Sequence, residues 1–164
     1  MRTLSVALIL VTTLALAGAS SALDHAHSFD ASLGGDVGAL QKTLSCTERW
    51  VDSAGKTPTG ASYTTSRCTP TDAQIYVSNG KVFALGLRLE AGLDSRTSKT
   101  SFKALKNELT AAKCKVDDRG QLLIGRCDGK AAIFLLNWDS KTNTDSISML
   151  YGVADQLLPM IGAR

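Results

Sequence analysis

The sequence is poor in the residues that most often carry chemistry. Histidine occurs twice, at His25 and His27, while a Ser-His or Cys-His catalytic pair needs a held imidazole. Both lie beside the expected start of the mature chain, where termini are usually poorly ordered, so neither is expected to be held. Asp24-His25-Ala26-His27 reads as a solvated tail, with weak Cu(II) or Zn binding as the alternative. There is no C-x2-C pair and no histidine near a cysteine, so the spacing excludes a structural zinc site. Zincin and phosphate-loop motifs are missing as well; Gly34-Gly35 and Gly38 do not follow a strand in a βαβ unit. The formal net charge is only +3, which gives no global argument for nucleic acid. After Ala22 no apolar run approaches the roughly 20 residues that a spanning helix needs.

What is present begins with a leader. Arg2 gives a short positive start, residues 4–17 are almost unbroken apolar, and Ser20-Ser21-Ala22 places small residues at the −3 and −1 positions. Residues 1–22 therefore read as a secretory signal peptide, with a retained anchor as the rival reading. Ala17-Gly18-Ala19 fits cleavage after Ala19 by the same rule. No cysteine follows the apolar run, so there is no lipobox. The expectation is a soluble protein, secreted or periplasmic, whose mature part (23–164) is a single α+β domain.

Four cysteines in an exported chain most simply form two disulfides. Of three connectivities, the sequential one, Cys46–Cys68 and Cys114–Cys127, closes loops of about 22 and about 13 residues, each worth roughly 3 kcal/mol in the chain-entropy model.

The two cysteine segments run in parallel. The first half reads ALQKTLSC (39–46), a long polar stretch, SRC (66–68) and AQIYV (73–77). The second reads ALKNELTAAKC (104–114), a shorter stretch, GRC (125–127) and AAIFL (131–135). Each carries Ala-Leu-x-x-x-Leu before the first cysteine, Arg before the second, and an Ile-aromatic pair afterwards. This order predicts an internal duplication, with repeats at about 36–90 and about 98–153. Leu33, Val37, Leu40 and Leu44 make one helical stripe and Phe102, Leu105, Leu109 and Ala112 another. Asp36 is the expected cap of the first helix, and Thr100 or Ser101 of the second. Strands are expected at 73–78 and 81–90 around Asn79-Gly80, a type I′ hairpin signal, and at 131–138 and 146–153 around a polar connection. Each unit is then a helix, a cysteine loop with at least one strand, and a hairpin. Two units give antiparallel sheet with helices packed on one face.

Three groups of residues are candidates for binding. The Cys46–Cys68 loop presents Trp50 and Tyr63; a stapled loop loses less ordering entropy on association. The alternative is a strand pair in which the two aromatics pack across from each other. Lys99, Lys103 and Lys106 share the helix face opposite Leu105 and Leu109, in a segment (96–130) richer in base than acid. They read either as a solvated face or as a patch for an acidic partner or anionic envelope polymer. Trp138-Asp139 could serve a sugar if a second carboxylate faced it across a cleft; otherwise they are a loop after a strand. Asp117-Asp118 precede Arg119-Gly120 and read as a turn.

The tandem order of helix, disulfide loop and antiparallel strands over residues 36–153 resembles the β-lactamase inhibitor protein family. The resemblance implies two repeats with one disulfide each, export, and binding through a concave sheet. The family's Gly-Met-Thr helix opening is absent from both repeats, so neither β-lactamase as target nor any inhibitory residue carries over. The expected function is an exported, non-enzymatic binding protein of the inhibitor or immunity type, monomeric, without cofactor or metal. Its expected partner is another exported or envelope protein, not nucleic acid. The alternatives are a binder of a small apolar ligand or anionic envelope polymer and, third, a carboxylate-dependent hydrolase.

Overall fold

The computed structural model describes residues 21–44, 46, 48–68 and 73–163. Apart from Ser21 and Ala22, the expected signal peptide lies outside them. The first helix, α1 (Ala22–His27), is capped by Ser21, whose hydroxyl accepts from the Asp24 N–H at 2.9 Å. A 3-10 turn (Asp30–Ser32) leads to α2 (Val37–Thr43). Asp36 caps α2 as expected, its Oδ1 accepting from the N–H groups of Gly38 and Ala39. A four-stranded meander follows: β1 (Trp50–Lys56), β2 (Ser62–Cys68), β3 (Ala73–Ser78) and β4 (Lys81–Leu93). The order then recurs as α3 (Ser95–Ala111), β5 (Lys115–Asp118), β6 (Leu122–Cys127), β7 (Lys130–Asp139) and β8 (Thr144–Val153), before α4 (Ala154–Met160).

All eight strands form one antiparallel sheet in the order β1-β2-β3-β4-β8-β7-β6-β5. The two meanders therefore meet through their last strands, and β1 and β5 are the edges. Each disulfide ties the C-terminal end of a helix to the second strand of the meander after it, Cys46 to Cys68 and Cys114 to Cys127. This is the expected pairing. Asn79 and Gly80 have φ of 51° and 74°, the positive values that a two-residue I′ turn requires. No helix among the described residues is long and apolar enough to cross a membrane.

Two expectations are corrected. The second helix starts at Ser95, not near Thr100 or Ser101, because Asp94 Oδ1 takes the N–H groups of Arg96 (2.8 Å) and Thr97 (2.9 Å). The cysteine segments, expected to hold at least one strand each, are the hairpins β1–β2 and β5–β6. Helices also lie on both sheet faces. Ala132, Phe134, Ile147, Met149 and Tyr151 pack with α1 and α3, while Ala131 and Ile133 pack with Leu157 and Leu158 of α4. Central strands buried on both faces need cover on both, and α4 supplies the second.

On the α1–α3 side, Leu40 of α2 packs with Ile75, Val82 and Leu85, and Leu109 of α3 sits over β6. A Cβ at Gly125 would overlap the Leu109 side chain, so glycine at this point lets α3 approach the sheet closely.

The N-terminal segment belongs to this core, which corrects the reading of a solvated tail. Leu23 and Ala26 are buried against α3, and the Leu23 N–H donates to Glu108 Oε1 at 2.5 Å. His25 meets Phe29 edge-on at 5.3 Å and the His27 ring lies 6.0 Å from that of Tyr151. The two imidazoles thus pack on different partners. Asp30 pins the following turn: it accepts from the Tyr151 hydroxyl (2.5 Å) and pairs with Lys130 (2.7 Å).

Candidate ligand-binding groove

The α3 helix buries one stripe, Ser98, Phe102, Leu105 and Leu109. Lys99 and Lys106 lie about a quarter-turn from it at 100° per residue, and Lys103 about a third of a turn. The expected position opposite Leu105 and Leu109 is corrected for Lys99 and Lys106, which flank the stripe. The flank matters because the sheet narrows beneath it. β5 has only four residues, and β6 begins at Leu122, paired with Leu135, while β7 runs on to Asp139. Leu136 lies past the end of β6, its N–H bonded to the Gln121 carbonyl at 2.9 Å. A groove of about 640 Å³ remains between α3 and the sheet, within the size range of small-molecule sites.

Its floor is apolar: Phe102, Leu123 and Leu136, all continuous with the core. One wall is the lysine edge of α3, and the other is the β5–β6 turn with Asp118, Gly120 and Gln121. Lys106 Nζ lies 2.7 Å from Asp118 Oδ2. The Lys106 hydrogen bond, together with the Gly120 N–H (3.0 Å), holds the Asp118 carboxyl below its usual range. Lys99 and Lys103 have no ion-pair partner among the described residues. The rim therefore carries two positive charges beyond the neutralised pair.

Trp138 stands at the Lys99 end. It is 61% exposed, and alternation along β7 puts it on the face of Phe134 and Leu136. Its register partner is Asp145, whose buried carboxylate accepts from the Ser98 hydroxyl at 2.5 Å. That bond fixes the first turn of α3, and Lys99 with it, against the Trp138 end of the hairpin.

The other candidates do not converge here. Trp50 begins β1 opposite Cys68 and packs, half-buried, against the core cluster on the α2 side that includes Leu40 and Ile75. Tyr63 faces the other way, over Gly55 and against Tyr76 (6.1 Å) and Phe83 (6.4 Å). The two aromatics lie on paired strands within the Cys46–Cys68 segment and do not pack across from each other. Asp139 accepts from the Lys141 N–H at 2.8 Å in the turn after β7. That bond holds its carboxyl below the usual range, the reverse of the shift a general acid needs. Asp117 and Asp118 end strand β5, paired with Ile124 and Leu123, which corrects the turn reading; Asp117 pairs with Arg119 just beyond the strand.

Among several other hollows, a smaller depression of about 250 Å³ lies on the sheet, where Arg67, Gln74, Gly86, Arg88 and Leu150 meet. Sequence reasoning placed neither hollow. Phe102 stands between Lys99 and Lys103 and was legible as a buried aromatic. Leu123 and Leu136 come from other strands and carry no local signal. Comparison with family models, with curated proteins and with solved structures finds no match.

Proposed function

We propose that the chain is an exported, non-enzymatic binding protein and that the groove along α3 is its ligand site. The observation that supports this most is a groove of about 640 Å³ in which the half-buried Leu136, over the buried Phe102 and Leu123, stands beside a helix edge bearing two lysines without ion-pair partners among the described residues. Export rests on the leader at residues 1–22 and on two disulfides suited to an oxidising compartment. The recurrence of helix, four-stranded meander and disulfide in both halves favours a duplicated unit acting as a rigid, monomeric scaffold. Binding a neutral apolar dye such as Nile red tests the site without involving charge. Saturable one-site binding, lost in Leu136→Glu with the melting temperature kept within a few degrees, is expected. Unchanged dye binding by a folded Leu136→Glu protein refutes the groove.

The depression on the open sheet face favours a second reading, a protein partner of the inhibitor or immunity type. Arg67, Gln74 and Arg88 give it polar specificity, and a concave sheet is how the resembling inhibitor family is expected to bind. Neither Trp50 nor Tyr63 lines that hollow.

A further inference from the structure

Resting on the reading of the groove as a ligand site, we infer that its occupant is a single-chain anionic amphiphile with a carboxylate head, of the fatty-acid class. Three features define that chemistry. First, the polar and apolar parts of the groove are segregated: Phe102, Leu123 and Leu136 line its base, and Lys99 and Lys103, without ion-pair partners among the described residues, stand along one rim. A ligand matching both must itself be apolar along its length and charged at one place. Second, the sign is set by Lys99 and Lys103. They are one helical turn apart, so their Cβ atoms stand about 5–6 Å from each other, and both ammonium groups can reach one compact anion. Lys106 is already balanced by Asp118 at 2.7 Å, which leaves little for a second anionic group and disfavours a multiply charged head. Third, a volume of about 640 Å³ houses one acyl chain rather than the two of a membrane phospholipid. The ends also differ. Trp138 stands at the Lys99 end, 61% exposed and on the floor side of β7. There its indole can close over the first carbons below the head, as amphipathic aromatics do at apolar–aqueous boundaries.

The alternatives fit less well. A polyanion would use the lysines and ignore the floor, and a neutral apolar ligand would leave two ammonium groups beside it uncompensated. An acidic protein segment would need a broader charged surface than one helix edge, and Asp118 lines the same groove.

The test is calorimetric titration of the disulfide-intact protein with dodecanoate, dodecanol and dodecyltrimethylammonium below their micellar concentrations, and with short-chain polyphosphate. Dodecanoate is expected to bind with unit stoichiometry, at least tenfold more tightly than dodecanol. Replacing Lys99 or Lys103 by Gln should weaken it about fivefold each, the scale of an exposed ion pair, with a smaller effect at higher salt. Both variants should melt within a few degrees of the parent, which reports that the fold is intact. Equal affinity for dodecanoate and dodecanol overturns the anionic head and leaves the groove as an apolar site. Binding of polyphosphate but no amphiphile overturns both, as does failure of every probe, Nile red included. Tightest binding by the cationic amphiphile reverses the assigned sign.

Discussion

Ser98→Ala isolates the contact that holds the groove open at one end. Ser98 is fully buried and Asp145 is 9% exposed, and the serine hydroxyl donates to Asp145 Oδ2 at 2.5 Å. Removing the hydroxyl takes away the side-chain partner of a carboxylate that stays buried. A buried polar group deprived of its partner costs about 1–3 kcal/mol, more when charged. For a domain of this size each kcal/mol moves Tm by about 3–4 °C, so Ser98→Ala should melt about 4–10 °C early in scanning calorimetry at neutral pH with disulfides intact. The asymmetry between losing one partner and losing both supplies an internal check. Asp145→Leu in the Ser98→Ala background should recover part of the loss, because no unpartnered carboxylate remains. The first turn of α3 should also loosen, raising amide exchange at residues 95–99 before that at 105–109. A Ser98→Ala protein that melts within 1 °C of the parent, with unchanged exchange, would show that this bond does not position α3.

Gly80→Val should cost about 1 kcal/mol or more in thermal melts, because a β-branched residue resists the φ of 74° found there. Trp50→Ala should cost about 2 kcal/mol, roughly half the cost of emptying a fully buried site, while leaving Nile red and dodecanoate binding intact; lost binding at unchanged Tm would return Trp50 to the role of anchor. Gly125→Val should push Leu109 off β6 and cost about 1–3 kcal/mol, the range for overpacking. In acid, burial pushes the Asp30 carboxyl up, but its bonds to Lys130 and Tyr151 outweigh this and its folded pKa lies below the ordinary 3.8. Its stabilising contribution is therefore fully present above that value and is lost as pH falls through the lower, folded one. Asp30→Asn should flatten that part of the acid-unfolding curve measured by circular dichroism.

Local signals in the sequence reached the elements whose causes are local. Asn79-Gly80 specifies its turn by φ alone, and Asp36 caps α2 through its own neighbours. The cysteine order gave the pairing. The start of α3 escaped because the first side chain it buries is Ser98, which is polar, so apolar periodicity begins only at Phe102. β1 and β2 looked like a loop because β1 is an edge strand with most of its side chains exposed, which leaves little alternation to read. The cover on the second face was foreshadowed by the unbroken apolar run of residues 131–136, a pattern of two-sided burial. The groove could not be read locally. It exists because β5 and β6 stop short of β7, and this relation between strand ends brings Phe102, Leu123 and Leu136 together across the fold. The lysines were legible as a group, but their flanking position depends on which stripe α3 buries.

The most direct measurement is amide chemical-shift mapping of the isotope-labelled, disulfide-intact protein titrated with dodecanoate. The groove account predicts saturable shifts confined to residues 99–107 of α3, 118–123 around the β5–β6 turn and 136–138 of β7, with Arg67, Gln74, Gly86 and Arg88 unmoved. Shifts centred on that sheet-face set, or none at all at saturating ligand, would contradict it.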